Sequence, residues 1–347
     1  MGHPAIENKT PFSLEPVFLA DEEGRPLLVT VVKATYSLLD DGSLRLADEQ
    51  APVNLSGSYW GEPGESSYQY EPEGAFAKPA TDVALIGYAQ APRVGDGEVL
   101  VSLRLGALGK TVRVTGDRFW VKSLGSVFAT APEPFERLPL IYERAFGGWD
   151  RSHPDTQRHT FEPRNPVGTG FRSKSGGFEA GIRLPNLEDP RQSISKYGDT
   201  PPPAGFGFTS PDWQPRAGFA GTYDDVWMKQ RMPFLPGDFD RRFFNAASPG
   251  LTAPGFLQGN ESVLIENATP RGRLSFQLPG VAPPECRVEL GRTGARTLTT
   301  ELDTVIINTD ERLLFLIWRA NTVLRNGPED ILSLNLQAEG VRVTVAT

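Results

Sequence analysis

The chain has 347 residues, with 43 acidic and 35 basic side chains that give a formal net charge of −8 at pH 7. This acidic balance, without a Lys/Arg run long enough to follow a phosphate backbone, argues against a nucleic acid as partner. The longest apolar run, Leu313 to Trp318, is too short to cross a bilayer, and the first residues lack the pattern of a signal peptide. We therefore expect a cytoplasmic protein with no membrane partner.

Cysteine, proline and glycine usage indicates a loop-rich but ordered chain. Cys286 is the only cysteine, so an internal disulfide is excluded, and its strand-like surroundings favour a small core residue. The 31 prolines and 36 glycines are scattered among apolar segments and are not collected into tails. This distribution is typical of ordered loops, not of disorder.

Residues 1–125 predict an N-terminal β lobe. The β-branched run Leu27 to Leu38 is bounded by turn residues, and Ser43 to Ala47 follows as its hairpin partner. Four further strand candidates lie in this lobe: Asp82–Ala89, Glu98–Leu105, Lys110–Thr115 and Arg118–Val121.

Residues 126–255 form a Pro/Gly-rich middle segment that we expect to pack on both lobes. Its prolines prevent long helices and central strands. Two short helices are expected within Trp213–Ala247, which we call the aromatic segment. One runs from Thr222 to Gln230, and the other follows Asp238 or Asp240 as N-cap and extends to Ala247.

Residues 256–347 predict a C-terminal β lobe of short, half-buried strands. The candidates are Val263–Glu266, Arg273–Leu278, Cys286–Leu290, Thr297–Thr300, Asp303–Asn308, Arg312–Trp318, Ile331–Gln337 and Val341–Ala346. The expected fold is mainly β, with antiparallel sandwich-like sheets at both ends and a loop-rich middle that holds a few short helices. Whether the two lobes form one sheet system or two is left open.

No nucleotide, cofactor or metal site is expected. Gly106 to Thr111 ends like a phosphate-binding loop, but it lies between two strands and not before a helix, so a hairpin turn explains it. The spacing of His153 and His159 fits no common zinc pattern, and no cysteine is near them.

The aromatic segment raises one catalytic alternative. Four of its carboxylates lie near two tryptophans, as in the cleft of a glycoside hydrolase: Asp224, Asp225, Asp238 and Asp240, flanked by Trp213 and Trp227. We favour the simpler interpretation that these carboxylates form salt bridges to neighbouring arginines: Arg216, Arg231, Arg241 and Arg242.

Four blocks of the sequence carry a resemblance to a known family: Tyr142–Asp150 (YERAFGGWD), Asn165–Phe171 (NPVGTGF), Leu184–Pro190 (LPNLEDP) and the aromatic segment. They resemble the signature blocks of a bacterial family of unknown function. Its genes lie in type VI secretion clusters beside spike (VgrG), PAAR-type tip and toxin-effector genes. The resemblance covers most of the chain and is strongest from about residue 135 to 280.

The resemblance implies an adaptor or chaperone, not an enzyme. Such a protein binds a secreted effector or a PAAR-type tip protein, with the VgrG spike as a further partner, and promotes effector loading onto the spike. No catalytic residues are carried over from the family. The alternatives are the carboxylate-dependent glycoside hydrolase and a structural component that is exported with the spike.

The expected contact residues are our own inference from composition, because aromatic and arginine side chains are the usual anchors of protein interfaces. They are Trp213, Arg216, Phe219, Phe234, Arg231, Tyr142 and Trp149. Among the rings, those in the short helices (Trp227, Phe243 and Phe244) are expected in the core, and those in loops (Trp213, Phe219 and Phe234) at the partner. An edge of the C-terminal sheet offers a second mode of binding, by accepting a partner strand.

Overall fold

The computed structural model describes residues 5–173, 178–291 and 294–338. Strands hold 41% of the residues and helices 7%, which confirms the prediction of a mainly β fold. The predicted strand Val341–Ala346 lies outside the described residues.

The described strands are mostly short. In chain order they begin with β1 (Ala5–Asn8), β2 (Ser13–Ala20), β3 (Pro26–Leu38), β4 (Leu44–Leu46), β5 (Ser58–Tyr59), β6 (Tyr68–Tyr70), β7 (Asp82–Ile86), β8 (Tyr88–Gln90), β9 (Glu98–Leu105), β10 (Leu108–Thr115), β11 (Trp120–Ser123) and β12 (Ser126–Ala129). They continue with β13 (Arg137–Pro139), β14 (Phe146–Gly147), β15 (Trp149–Asp150), β16 (Thr160–Phe161), β17 (Thr169–Gly170), β18 (Leu187–Glu188), β19 (Ser262–Glu266), β20 (Arg273–Gln277), β21 (Glu285–Leu290), β22 (Gly294–Thr299), β23 (Glu301–Asn308), β24 (Leu313–Val323) and β25 (Ile331–Gln337).

Helical structure in the described residues is limited to short pieces. The α-helix α1 spans Asp225–Gln230, inside the predicted range, and Asp224 caps it. The second predicted helix is only a 3₁₀ turn, Arg241–Phe244, capped by Asp240. The other 3₁₀ turns are Tyr142–Arg144, Thr156–Arg158, Arg216–Ala220 and Pro328–Asp330.

Three larger sheets form the body. The central sheet has the order β2-β3-β24-β23-β7, with β4 paired to β3. A five-stranded sheet has the order β18-β10-β9-β19-β20, and a four-stranded sheet has the order β1-β25-β21-β22. Most neighbours are antiparallel, but β7–β23 and β1–β25 are parallel.

The two predicted lobes, 1–125 and 256–347, share these sheets. Strand β3 pairs with β24 from Leu27 opposite Val323 to Ser37 opposite Leu313, and β9 pairs with β19. The long apolar runs of β3 and β24 are buried almost throughout, which each strand achieves by pairing at the centre of a sheet. The lobe boundaries therefore do not separate independent sheets.

Glycines account for two of the strand ends. The Gly106 region is the tight turn between β9 and β10, as predicted, with Gly106 at φ 54°. The predicted strand Asp82–Ala89 is interrupted at Gly87, where an added Cβ would lie 2.2 Å from Thr309 Oγ1. Strand β2 was not predicted, because Pro16 weakens the strand pattern and is tolerated only at a sheet edge, where β2 lies.

The central sheet is buried on both faces. Alternate side chains of each strand point to opposite faces. On one face, side chains such as Leu28 and Val32 of β3 form the main core with residues of the other two larger sheets. On the other face, side chains such as Leu27 and Val29 form a second core that loops cover. We call these loops, residues 51–80 and 235–252, the covering layer.

Aromatic rings join the two loops of the covering layer to each other and pack against the sheet. Phe76 packs edge-to-face against Phe244 with ring centroids 4.7 Å apart, and Phe239 lies 5.7 Å from Phe244. Leu235, Phe239 and Phe244 pack against the second core of the sheet. Part of the aromatic segment is therefore the cover of a β-sheet.

Charged side chains are also enclosed beneath the covering layer. Lys78 bonds both Glu71 and Asp82, with the Asp82 contact at 3.0 Å. Nearby, Lys33 pairs with Glu73 at 2.7 Å. We define the buried ionic network as these five residues together with Arg216, Asp303 and Arg319.

Asp82 joins this network to the covering layer. Besides Lys78, its carboxylate accepts hydrogen bonds from Asn245 Nδ2 at 2.9 Å, from the Ala246 amide at 2.8 Å and from Thr252 Oγ1 at 3.1 Å. A single carboxylate on β7 therefore fixes the backbone of the covering layer against the sheet.

Burial and neighbouring charges set the pKa values of Glu71 and Lys78 in the network. Burial raises the pKa of the Glu71 carboxyl. Burial alone would lower the pKa of Lys78, but the carboxylates of Asp82 and Glu71 outweigh that effect and raise it. Lys78 therefore stays protonated and holds both carboxylates.

Replacing Lys78 by methionine is expected to destabilise the protein by about 3–5 kcal/mol, because two buried carboxylates lose their shared cation. Denaturant unfolding measures the change. The matched control is Lys229→Met, an exposed lysine, for which we expect a change within about 0.5 kcal/mol. Equal stabilities for the two variants would contradict the role given to Lys78.

Candidate partner-binding surface

Residues 222–234 project from the covering layer as a short excursion that we call the tip. Helix α1 begins because the Asp224 carboxylate accepts the Trp227 amide at 2.8 Å. The base of the tip is closed by Asp238, which accepts from the Thr222 amide at 2.9 Å and from its hydroxyl at 2.7 Å. The tip is thus a defined loop held at both ends.

The tip exposes a concentration of large apolar side chains. None of the residues of α1 is buried. The exposed apolar residues of the tip are Tyr223, Val226, Met228, Met232 and Phe234, each with 41–59% of its surface accessible. Grouped apolar exposure of this kind is typical of an interaction surface, and flexible methionine side chains adapt well to a partner.

Trp227 braces the tip from within. Its indole Nε1 donates to the Phe234 carbonyl at 2.8 Å, and its ring meets Tyr223 edge-to-face at 4.7 Å. The ring is half-buried, so it supports the exposed side chains.

The turn between β2 and β3 anchors the tip to the body. The Arg231 guanidinium donates to both carboxylate oxygens of Glu23, at 3.0 and 2.8 Å, and to the carbonyls of Leu235 and Glu22. Gly24, at φ 74°, lies directly under Phe234, where an added Cβ would be 2.2 Å from the ring. These contacts fix the orientation of the tip.

Two predicted contact residues are wrong, because they belong to the core. Trp213 and Tyr142 are only 2% and 3% exposed, and their rings meet edge-to-face at 5.3 Å. Both pack in the main core. Trp213 was expected at the partner because it lies in a loop, but this loop folds inward, and the aromatic character of Tyr142 serves the core.

Arg216 is also an internal anchor and not a surface contact. Its guanidinium donates to the carbonyls of Phe243 and Thr209 and pairs with Glu71 at 3.4 Å. Phe219 is half-buried, with the Arg242 guanidinium 4.4 Å above its ring. Neither residue is part of the exposed apolar tip.

The remaining three predicted contact residues lie at the surface or at the tip anchor. Phe234 and Arg231 are both in the tip. Trp149 is exposed in the β15–β16 pair, with its ring tilted by 30° to the ring of Phe161 and the two centroids 4.5 Å apart. Trp149 and Phe161 therefore form an exposed aromatic pair apart from the aromatic segment.

The rings expected in the core divide between two roles. Phe244 packs against the second core, and Phe243 is half-buried with its ring edge-to-face against Phe244 at 5.7 Å. The expectation that Trp227 lies in the core is wrong, because this residue is half-buried in the tip. Sequence reasoning also missed Val226, Met228 and Met232, although both methionines beyond Met1 fall in this one short stretch.

Three of the four carboxylates of the glycoside hydrolase alternative have structural roles, whereas Asp225 is exposed on α1. Asp224 and Asp240 cap the two helical turns, and Asp238 holds Thr222. Hydrogen bonds from Thr222 lower the pKa of Asp238, and those from Arg242 lower the pKa of Asp240. A glycosidase acid needs the opposite shift.

The expected salt bridges to these carboxylates form only in part. Arg242 pairs with Asp240 at 2.6 Å, but Arg231 and Arg241 pair with Glu23 and Glu22 of the β2–β3 turn. The predicted arginines therefore tie the aromatic segment to the rest of the molecule more than to itself.

Within the described ranges, no group of three or more His, Cys, Asp or Glu side chains is arranged to hold a metal ion. The ring of His159 contacts the carbonyl of His153 at 2.9 Å in the loop between β15 and β16. No helix in the described part of the chain is long and apolar enough to cross a membrane.

Replacing Arg231 by alanine is expected to speed amide hydrogen exchange and proteolytic cleavage within residues 222–234 several-fold, because the tip loses its contacts to Glu23 and to two carbonyls. The control is Arg242→Ala, whose ion pair to Asp240 is local to the aromatic segment. Unchanged exchange in the Arg231 variant would show that the tip is held by other contacts.

Comparison with known proteins places the chain in a family. The family model described as an uncharacterized protein conserved in bacteria (DUF2169) matches residues 23–319. That range includes the tip, the buried ionic network and the core strands β3, β7 and β23. Neither curated proteins nor solved structures give a significant match. The chain therefore belongs to the bacterial DUF2169 family.

Proposed function

We propose that this protein is a type VI secretion adaptor or chaperone. In the cytoplasm it binds a toxin effector or a PAAR-type tip protein and promotes loading onto the VgrG spike. The observation that supports binding as the function is the exposed apolar tip on an anchored base. The secretion context rests on the resemblance of four sequence blocks, all inside the matched range 23–319.

The chemistry of the tip suits the centre of a protein interface. Burying a large apolar side chain contributes roughly 1.5–3 kcal/mol, and the tip offers several such side chains close together. Exposed Asp224, Asp225 and Lys229 lie among them and provide charges that set orientation. Because Arg231 and Gly24 fix the tip before binding, less ordering entropy is lost on association.

A stable interface normally buries at least about 1,200 Å² in total, so we expect the tip to act with further surface. The exposed Trp149–Phe161 pair is one candidate. Strand β22 is another, because it forms an edge of the four-stranded sheet as described and most of its side chains are exposed. A partner strand added there would extend the sheet.

Co-expression with the proteins encoded beside the gene tests the proposal. We expect the protein to co-purify with the VgrG spike, with a PAAR-type tip protein or with an effector. The variant Val226→Ser/Met228→Ser/Met232→Ser should bind the partner about tenfold or more weakly. It should remain folded, since the substitutions remove exposed apolar surface only. The matched control is Leu100→Ser/Leu332→Ser, which removes exposed leucines on β9 and β25.

Two outcomes would contradict the proposal. No complex with any of the neighbouring proteins would remove the adaptor function. Equal binding by the tip variant and the control variant would remove the tip from the interface.

Fractionation separates an adaptor from an exported structural component. We expect the protein in cell extracts, and we expect effector secretion to fall when the gene is deleted, because loading precedes export. Immunoblotting of cells and of secreted material measures both. Accumulation of the protein in the secreted fraction would favour the structural component instead.

A further inference from the structure

A cavity of about 470 Å³ lies beside the β9–β10 hairpin. Its lining includes Gly109, Lys110 and Thr111, the residues that end the phosphate-loop-like stretch of the sequence. Five proline rings contribute apolar wall: Pro190, Pro202, Pro203, Pro215 and Pro249. Cavities of this size with apolar walls and a few polar groups are typical of small-ligand sites.

Lys110 is a cation of this cavity that forms no salt bridge in the described part of the chain. Its ammonium donates to Ser248 Oγ at 2.6 Å and to the Pro249 carbonyl at 2.8 Å. It has no ion-pair partner among residues 5–173, 178–291 and 294–338. Because an ammonium carries three donors, one N–H remains for a ligand.

The other charged groups leave the cavity cationic. Asp189, Arg164 and Arg191 also line it. The Arg164 guanidinium is occupied by both carboxylate oxygens of Glu162, at 2.7 and 2.8 Å. Arg191 forms no ion pair in the described part of the chain, so Lys110 and Arg191 together outweigh Asp189.

Ser248 positions Lys110 but is closed to a ligand. Its hydroxyl accepts from Tyr142 at 2.7 Å and from Lys110, and donates to the Gly205 carbonyl at 2.8 Å. The side chain is fully buried. Burial also raises the pKa of Tyr142 to about 12, so that hydroxyl stays a neutral donor. The arrangement favours binding over nucleophilic attack by Ser248.

We propose that this cavity binds the carboxylate of an apolar organic acid or of a peptide C-terminus, with Lys110 as its ionic contact and the proline rings around its apolar body. Arg191 supplies a second cation on the wall. A phosphate fits less well, because its second negative charge would enter a cavity that already holds Asp189. The hairpin also lacks the helix N-terminal amides that phosphate loops use.

The ionisation of Lys110 agrees with this assignment. Burial lowers its pKa to about 7, partly offset by Asp189. Lys110 therefore loses its charge near neutral pH. A bound carboxylate supplies the missing counter-ion and raises that pKa again.

Calorimetric titration of the full-length protein with acetyl-Pro-Phe tests the proposal. We expect the free acid to bind and the C-terminal amide to bind about tenfold or more weakly, because the amide lacks the charge. This comparison uses the wild-type protein alone. The variant Lys110→Met should weaken binding of the free acid to a similar extent, and Lys122→Met, an exposed lysine on β11, should not change it.

The pH dependence has a definite sign. Binding requires protonated Lys110, so affinity is highest below pH 7 and falls as pH rises through about 7. The other ionisable groups on the cavity wall are Asp189, Arg164, Arg191 and Tyr142. Carboxylates, guanidinium groups and phenols ordinarily keep the same protonation state between pH 6 and 9. The change in affinity over this range therefore follows the protonation of Lys110.

Phenylacetate and inorganic phosphate complete the test. Binding of phenylacetate but not of acetyl-Pro-Phe would assign the carboxylate to a small acid, and the reverse would assign it to a peptide terminus. Both results support carboxylate recognition. Four outcomes would each overturn the proposal. They are no binding of either acid at millimolar concentration, equal binding of acetyl-Pro-Phe and its amide, unchanged binding in Lys110→Met, and tighter binding of phosphate than of the acids.

Discussion

The contact of Lys78 with Glu71 and Asp82 is the constraint on which the arrangement of the loops depends. The second face of the central sheet carries charged side chains that cannot be left buried without partners. The covering layer meets this requirement by bringing Glu71, Glu73 and Lys78 onto that face. Such a network adds less net stability than an apolar core of equal size, but it permits few alternative arrangements of the loops. We infer that the network selects a single arrangement for a layer with little regular secondary structure.

The position of the tip follows from this constraint. The chain enters the tip just after Arg216, which is held by Glu71, and returns to the covering layer before Asn245, which is held by Asp82. Both flanks are therefore tied to one buried network, and the β2–β3 turn adds an outer anchor through Glu23. The intervening residues are free to expose apolar side chains without loosening the body. This separation of a fixed base from an exposed tip suits a protein whose proposed work is to hold another chain.

Local features of the sequence predicted local structure well. The alternation in Ile331–Gln337, the apolar run of β3 and the Asp240 cap each identified its element, because such signals act over a few residues. Pairing between β3 and β24 was not predictable, since those strands are nearly 300 residues apart and periodicity says nothing about partners. Some aromatic residues were assigned to the wrong side, core or surface, for a related reason. Trp213 and Met228 cannot be assigned to core or surface from residue type alone, because tertiary packing decides which side of a loop faces inward.

Amide hydrogen exchange in wild type and in Lys78→Met tests most directly whether the network holds the covering layer. In wild type we expect slow exchange at Ala246, whose amide donates to Asp82, and faster exchange within the tip. In the variant, residues 235–252 should lose protection to a much greater extent than strands β9 and β10 of the five-stranded sheet. An equal loss in both regions, or no loss in residues 235–252, would contradict the account.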